Sequence, residues 1–170
     1  TGTIPLEDAR DPLAANWMNY PKFILDRTGF LTNRDNTRTP MQWSDERNAG
    51  FSTNRETWLP VQENYPDINV ESSLENENSL LHTYRTILRL RNDLQALQHG
   101  QVLFIDDLPD DVLGYRRGDG EDRVSVYLNF SDQPRSVRLD DEIGSPLYSK
   151  RAELHGANAE LGGYGILMIQ

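Results

Sequence analysis

The sequence predicts a mixed fold: an irregular first half ending in one amphipathic helix, then a small antiparallel all-β sandwich, with the division near Gly100. Three observations predict it. Pro5, Pro12, Pro21, Pro40, Pro60 and Pro66 punctuate residues 1–69, and each removes a backbone donor and fixes its own φ. Leu80, Leu81, Tyr84, Ile87 and Leu88 then recur at helical spacing. Beyond His99-Gly100 the period falls to two, most plainly in VSVYLNF, residues 124–130.

Taken in order, residues 13–25 are compatible with a short helix broken or bent at Pro21, and the rest of residues 1–69 reads as ordered loop. So long a connection suits a functional loop packed on a scaffold better than a free linker. The amphipathic helix begins near Ser73 or Asn78 and runs to about Leu90 or Asn92. Glu71, Glu75 and Glu77 precede or open it and Arg85, Arg89 and Arg91 fill its second half, the signs that a helix dipole favours. In 124–130, Val124, Val126, Leu128 and Phe130 share one side and Ser125, Tyr127 and Asn129 the other. Further short strands are expected at 101–105, 112–117, 135–139, 146–148 and 165–169, with a hairpin at Asp119-Gly120.

Composition narrows the function classes. With 170 residues the chain is one medium domain or the tail of a larger protein. Its net charge of −10, from 27 acids against 17 Lys and Arg, repels a phosphate backbone, so no nucleic-acid partner is expected. No apolar run approaches membrane-spanning length and no secretory pattern opens the chain, so no membrane partner and a cytoplasmic location are expected. Cysteine is absent, which removes disulfide and thiolate chemistry. The loop-like opening TGTIPLEDARDP, without an initiator methionine, suggests a piece cut from something larger.

The best candidate for chemistry is NRDNTRTPMQWSDERNAGF, residues 33–51. An arginine fork binds vicinal hydroxyls or a carboxylate bidentately, and a nearby aspartate holds the fork in one orientation. By spacing alone the same residues also suit a loop braced by Arg–Asp pairs and anchored by Trp43.

Together with TWLPVQENYPDINVESSLENENSLLHTYRTILRLR, this run resembles the C-terminal part of α-glucosidases and oligo-1,6-glucosidases of glycoside hydrolase family 13. The RDN-x-RTPMQW run, NAGF, the NV before the helix and the leucine, tyrosine and arginine pattern within it arrive in the family's order, over about residues 4–91. The resemblance implies the last loop and helix of a (β/α)₈ TIM barrel, residues 1–99, followed by a C-terminal β-sandwich, residues 100–170. It also implies a retaining α-glucosidase acting on α-linked gluco-oligosaccharides from the non-reducing end, with either α-1,4 or α-1,6 linkage compatible. The nucleophile and the acid of such an enzyme lie in motifs absent here, so no catalytic residue is assigned and the isolated chain is expected to be inactive without the missing N-terminal barrel portion.

Carried over residue by residue, the resemblance implies that Arg34 is a substrate ligand in the non-reducing glucose subsite and that Asp35 is its orienting partner. It casts Arg38, Gln42 and Trp43 as braces of the loop, and 48–51 as a returning turn in which Gly50 takes a positive φ. The family commonly reads Gln-Trp-Asp where this chain has Ser44 before Asp45. Two alternatives share these residues: a transglycosylating relative such as a trehalose synthase, or a stand-alone carbohydrate-binding β module, for which only Tyr115, Tyr127, Tyr148 and Tyr164 are at hand. No cofactor or metal is expected, since three scattered histidines make no ligand set and the acidic run at 106–111 lacks a calcium loop's glycine and glutamate. His82 and His99 read as a surface residue and a helix cap, and the sequon at Asn129 as a strand end. Trp17, Tyr20, Phe23 and Phe30 suit a sugar platform or helix packing equally.

Overall fold

The computed structural model describes residues 4–17, 20–21, 23–24, 33–139 and 145–170. By compactness the chain falls into two units, Thr1–Thr83 and Tyr84–Gln170, so that residues 84–99 group with the sheet.

The first unit is built from loops and short turns. Helix α1, Pro12–Trp17, starts on a proline, whose missing N–H costs nothing at a first helical position. The rest of the helix expected over 13–25 lies largely outside the described residues. Of the aromatic set, Tyr20 and Phe23 are exposed, whereas Phe30 and the Trp17 side chain lie outside the described residues. Short 3-10 turns follow at Arg34–Thr37 and Arg47–Gly50.

The expected continuous helix is two helices, α2 at Val70–Glu75 and α3 at Leu80–Asp93. Asn69 caps α2 through a capping box with Ser72. The break is local polar chemistry: Asn76 turns extended, its side chain accepts from Asn78 N at 3.0 Å, and Ser79 Oγ accepts from His82 N at 3.3 Å as α3 begins. His82 also contacts the Leu74 carbonyl at 2.9 Å, a local tie across the break. Leu80, Tyr84 and Leu88, on the apolar side of the amphipathic helix, are exposed.

In the second unit α4, Gln95–His99, leads, among the described residues, into six antiparallel strands: β1 Val102–Phe104, β2 Val112–Arg117, β3 Val124–Asn129, β4 Arg135–Arg138, β5 Pro146–His155 and β6 Asn158–Ile169. They form one hydrogen-bonded, curled sheet in the order β1-β2-β3-β6-β4, with β5 on the other edge of β6. Residues 158–161 of β6 pair with β4, and residues 166–169 pair with β3. One long strand thus changes partner midway, and this curls the sheet. Between those stretches Arg151 of β5 faces residues 162–165, a bulge that carries Tyr164 at φ 56°.

Strand β3 is buried on both faces. Tyr127 joins Leu161, Leu167 and Val137 on one side, while Val124 and Val126 join Met168, Ala96 and Leu97 on the other. Each fully buried side chain of this size stabilises the fold by roughly 1.5–3 kcal/mol. At the entry to the sheet a Cβ on Gly100 would collide with Gly118 N and Ala96 O, so only glycine lets these backbones meet. Tyr127 is buried, and Tyr115 and Tyr148 pack on the core, so Tyr164 is the exposed tyrosine of the four that a carbohydrate-binding β module would have displayed.

Candidate functional site

Arg34 and Asp35 sit in the turn Arg34–Thr37, which Asn33 caps by accepting from Asp35 N at 3.0 Å. Neighbours in sequence, they work in opposite directions. The Arg34 fork is taken by Asp11: Nε reaches Oδ2 at 2.7 Å and Nη2 reaches Oδ1 at 2.6 Å. The same carboxylate accepts from Arg34 N at 3.1 Å and from Leu13 N, in the first turn of α1, at 3.2 Å. The side-chain bonds to Arg34 thus come from Asp11 and not from Asp35, which the resemblance had cast as its orienting partner.

Asp35 is fully buried, and its Oδ2 accepts from the backbone N–H groups of Arg10 and Asp11 at 2.6 and 2.8 Å. Its Oδ1 has no hydrogen-bond partner among the described residues, with the Arg38 guanidinium 3.8 Å away. The two segments thus hold each other reciprocally: Asp11 grips Arg34, and Asp35 grips the backbone beneath Asp11. Asn36 Oδ1 adds a bond from Ile4 N at 2.8 Å, and Asn33 Nδ2 donates to Ile4 O at 3.2 Å.

Hydrogen bonding from Arg34 holds the Asp11 carboxyl well below the usual carboxylate range, overcoming the opposing effect of its burial. The same bond raises the Arg34 guanidinium further, with the Asp35 charge a lesser contributor. With Asp11 buried and Arg34 half exposed, at 48% of its side-chain surface, the result is a fixed and partly exposed cation. The donors that Asp11 does not engage suit a polyhydroxyl compound or a carboxylate.

The following loop is braced largely through its backbone. Trp43 N and Ser44 N both donate to Ala49 O, at 2.8 and 3.2 Å, while Gln42 O and Trp43 O accept from Val70 N and Glu71 N at 3.0 Å each. The loop thereby satisfies two N-terminal donors of α2, and the Gln42 side chain adds a bond to Ile68 O. Trp43 is half exposed, so its backbone does the bracing and its ring is not the buried anchor that the sequence suggested. The returning turn holds three consecutive left-handed residues, Asn48, Ala49 and Gly50, at φ 56°, 55° and 63°. Asn48 Nδ2 fixes it to Ser52 O and Asn54 O at 3.1 and 2.7 Å.

Asp11 escaped the sequence reading, although an acid directly before a proline that opens a helix is an N-cap signal. Among the described residues no group of acids and histidines is placed to hold a metal ion, and no helix is long and apolar enough to cross a membrane.

Comparison with known proteins identifies the family. Residues 16–100 match the catalytic domain of alpha amylase. The chain is 44% identical over 107 residues to a glucan 1,6-alpha-glucosidase of Streptococcus dysgalactiae subsp. equisimilis, which covers 63% of this chain and 20% of that protein. It is 37% identical to an oligo-1,6-glucosidase of Parageobacillus thermoglucosidasius, over 72% of this chain and 22% of the relative. Trehalulose synthase MutB from Pseudomonas mesoacidophila MX-45 superposes with a TM-score of 0.81 at 28% identity, over 99% of this chain and 32% of the enzyme. The chain thus spans about a fifth of the length of these two glucosidases and about a third of the synthase. With the catalytic-domain match covering half of its residues, this chain belongs to the alpha-amylase family of glycoside hydrolases.

Proposed function

We propose that the chain is the C-terminal portion of a retaining α-glucosidase that removes glucose from the non-reducing end of α-linked malto- or isomalto-oligosaccharides. Residues 1–99 supply the last loop and helix of a (β/α)₈ barrel and residues 100–170 the C-terminal β-sandwich. The carboxylates that cleave the bond come from polypeptide other than these residues. Arg34 is the substrate ligand and Asp35 a positioning residue, acting through the backbone of Arg10 and Asp11.

One observation carries the reading: a guanidinium held bidentately by a buried aspartate, with half its surface open. Ring hydroxyls then meet donors already in place, and little binding energy goes to ordering a mobile arginine. The glucosidase names of the relatives at 37–44% identity support the reaction class.

The test is hydrolysis of p-nitrophenyl α-glucoside by the chain combined with the barrel polypeptide that carries the two carboxylates. Arg34→Ala is expected to lower kcat/KM by roughly 10- to 100-fold, the cost of a hydrogen bond to a charged group. Arg34→Lys does not rescue it, because lysine lacks the fork. Full activity in Arg34→Ala rejects the role. The similarity to a trehalulose synthase favours a second reading, an isomerising relative. Incubation with sucrose separates the two: an isomeric disaccharide supports isomerisation, and free monosaccharides support hydrolysis.

A further inference from the structure

In the first unit a cleft of about 750 Å³ opens beside the Arg34 clasp, its near wall formed by Arg10, the residue whose backbone Asp35 holds. That volume lies within the range of small-molecule sites. Its polar lining is balanced, with Arg10, Arg47 and Arg55 against Glu7, Asp8 and Glu56. A phosphate or carboxylate gains nothing from a field of no net sign, whereas a neutral polyhydroxyl ligand uses donors and acceptors together.

Ala9, Pro60, Val61 and Tyr65 add apolar surface to the lining, and its most exposed aromatic side chain is Trp58, at 69%. Its exposure is built in. Thr57 Oγ1 donates to Leu59 O at 2.6 Å, Leu59 is buried and Pro60 fixes the next φ, so a pinned segment turns the indole outward. The opposite wall is also rigid, since Arg47 and Asn48 both bond to Asn54 O. Planar donors, carboxylates and an exposed indole with an apolar face and one N–H are the means by which a protein holds a sugar ring.

We propose that this cleft is a second oligosaccharide subsite, separate from Arg34, in which Trp58 stacks on a glucosyl unit while Arg55 and Glu56 hydrogen-bond its hydroxyls. It rests on the glucosidase reading only for the kind of sugar used as probe. Calorimetric titration of the 170-residue chain with maltotriose and isomaltotriose tests it. At least one trisaccharide is expected to bind. Trp58→Ala should weaken it roughly tenfold, the worth of one aromatic contact, and Trp58→Phe should recover much of the loss. Far-UV circular dichroism of each variant checks that the fold is intact.

Arg34→Ala separates the two assignments. Binding kept in Arg34→Ala and lost in Trp58→Ala supports the cleft whatever becomes of the Arg34 role. Loss in Arg34→Ala with wild-type affinity in Trp58→Ala overturns the cleft and leaves Arg34 standing. The proposal also fails if neither trisaccharide binds, or if inorganic phosphate displaces the sugar at lower concentration.

Discussion

Four donors converge on the Asp11 carboxylate: two from the Arg34 side chain, one from its backbone and one from Leu13. An asparagine at this position keeps one acceptor oxygen and turns its amide donors toward the guanidinium. Asp11→Asn is therefore expected to release Arg34 from its fixed orientation and to lower kcat/KM nearly as far as Arg34→Ala. In a double-mutant cycle on p-nitrophenyl α-glucoside hydrolysis the double variant should be little worse than either single one, because both remove the same unit. Full additivity would show that Asp11 acts elsewhere. Asn129 obeys the same logic in the sheet. Its Nδ2 donates to Gln133 O, Leu161 O and Gly162 O at 2.7, 3.2 and 3.0 Å, and its Oδ1 accepts from Ser131 N at 2.9 Å. A buried amide so committed is a structural hub of the sheet. Asn129→Ala removes these bonds, including the buried one to Leu161 O, and should cost about 1–3 kcal/mol in urea unfolding.

Among the elements, the turn at Asn48, Ala49 and Gly50 carries the sharpest constraint. Gly50 lies at φ 63°, and a Cβ there would collide with Ser44 Oγ. Gly50→Ala is expected to destabilise the first unit by more than the roughly 1–2 kcal/mol of left-handed strain alone. Ser44→Gly in that background should return only the part due to the collision, and recovery to wild-type stability would show that the backbone had relaxed. The left-handed Gly50 was legible in the sequence, while Asn48 and Ala49 joining it was not, because it goes with bonds that no residue pattern displays, from the Asn48 side chain to Ser52 O and Asn54 O and from Trp43 N and Ser44 N to Ala49 O. Strands β2, β3 and β4 were legible from period-two alternation within a residue or so. The extensions of β5 and β6 were hidden, since their hairpin turns on Gly156-Ala157 and the bulge at 162–165 interrupts the alternation. Helix α3 was legible, but its break from α2 depended on Asn76 and Ser79 side chains that periodicity does not weigh. Arg34 could be picked out by motif, whereas its partner lay 23 residues upstream, a separation no local pattern spans.

Over the whole molecule, a net charge of −10 and an isoelectric point near 4.7 mean that acidification first neutralises the chain and then makes it positive. Two carboxylates resist. Hydrogen bonds from Arg34 hold Asp11, and those from Arg135 hold Asp111, below the ordinary aspartate value of 3.8. In such a case the unfolded state binds more protons than the folded one below that value, so stability increases with pH there. The contribution is fully present above the unfolded value and is lost as pH falls toward the depressed folded one. Asp11 lies in the first unit and Asp111 in the second, and all three tryptophans, at positions 17, 43 and 58, belong to the first. Tryptophan fluorescence therefore follows one unit during acid titration, while far-UV circular dichroism is dominated by the sheet of the other. Asp11→Asn is expected to flatten the acid limb seen by fluorescence and leave the sheet signal in place. Asp111→Asn, which removes a pair whose Arg135 Nε and Nη2 reach the carboxylate at 2.8 and 2.5 Å, should do the reverse. If each variant moved both signals equally, the two units would be unfolding as one, and the assignment of acid sensitivity to separate ion pairs would be wrong.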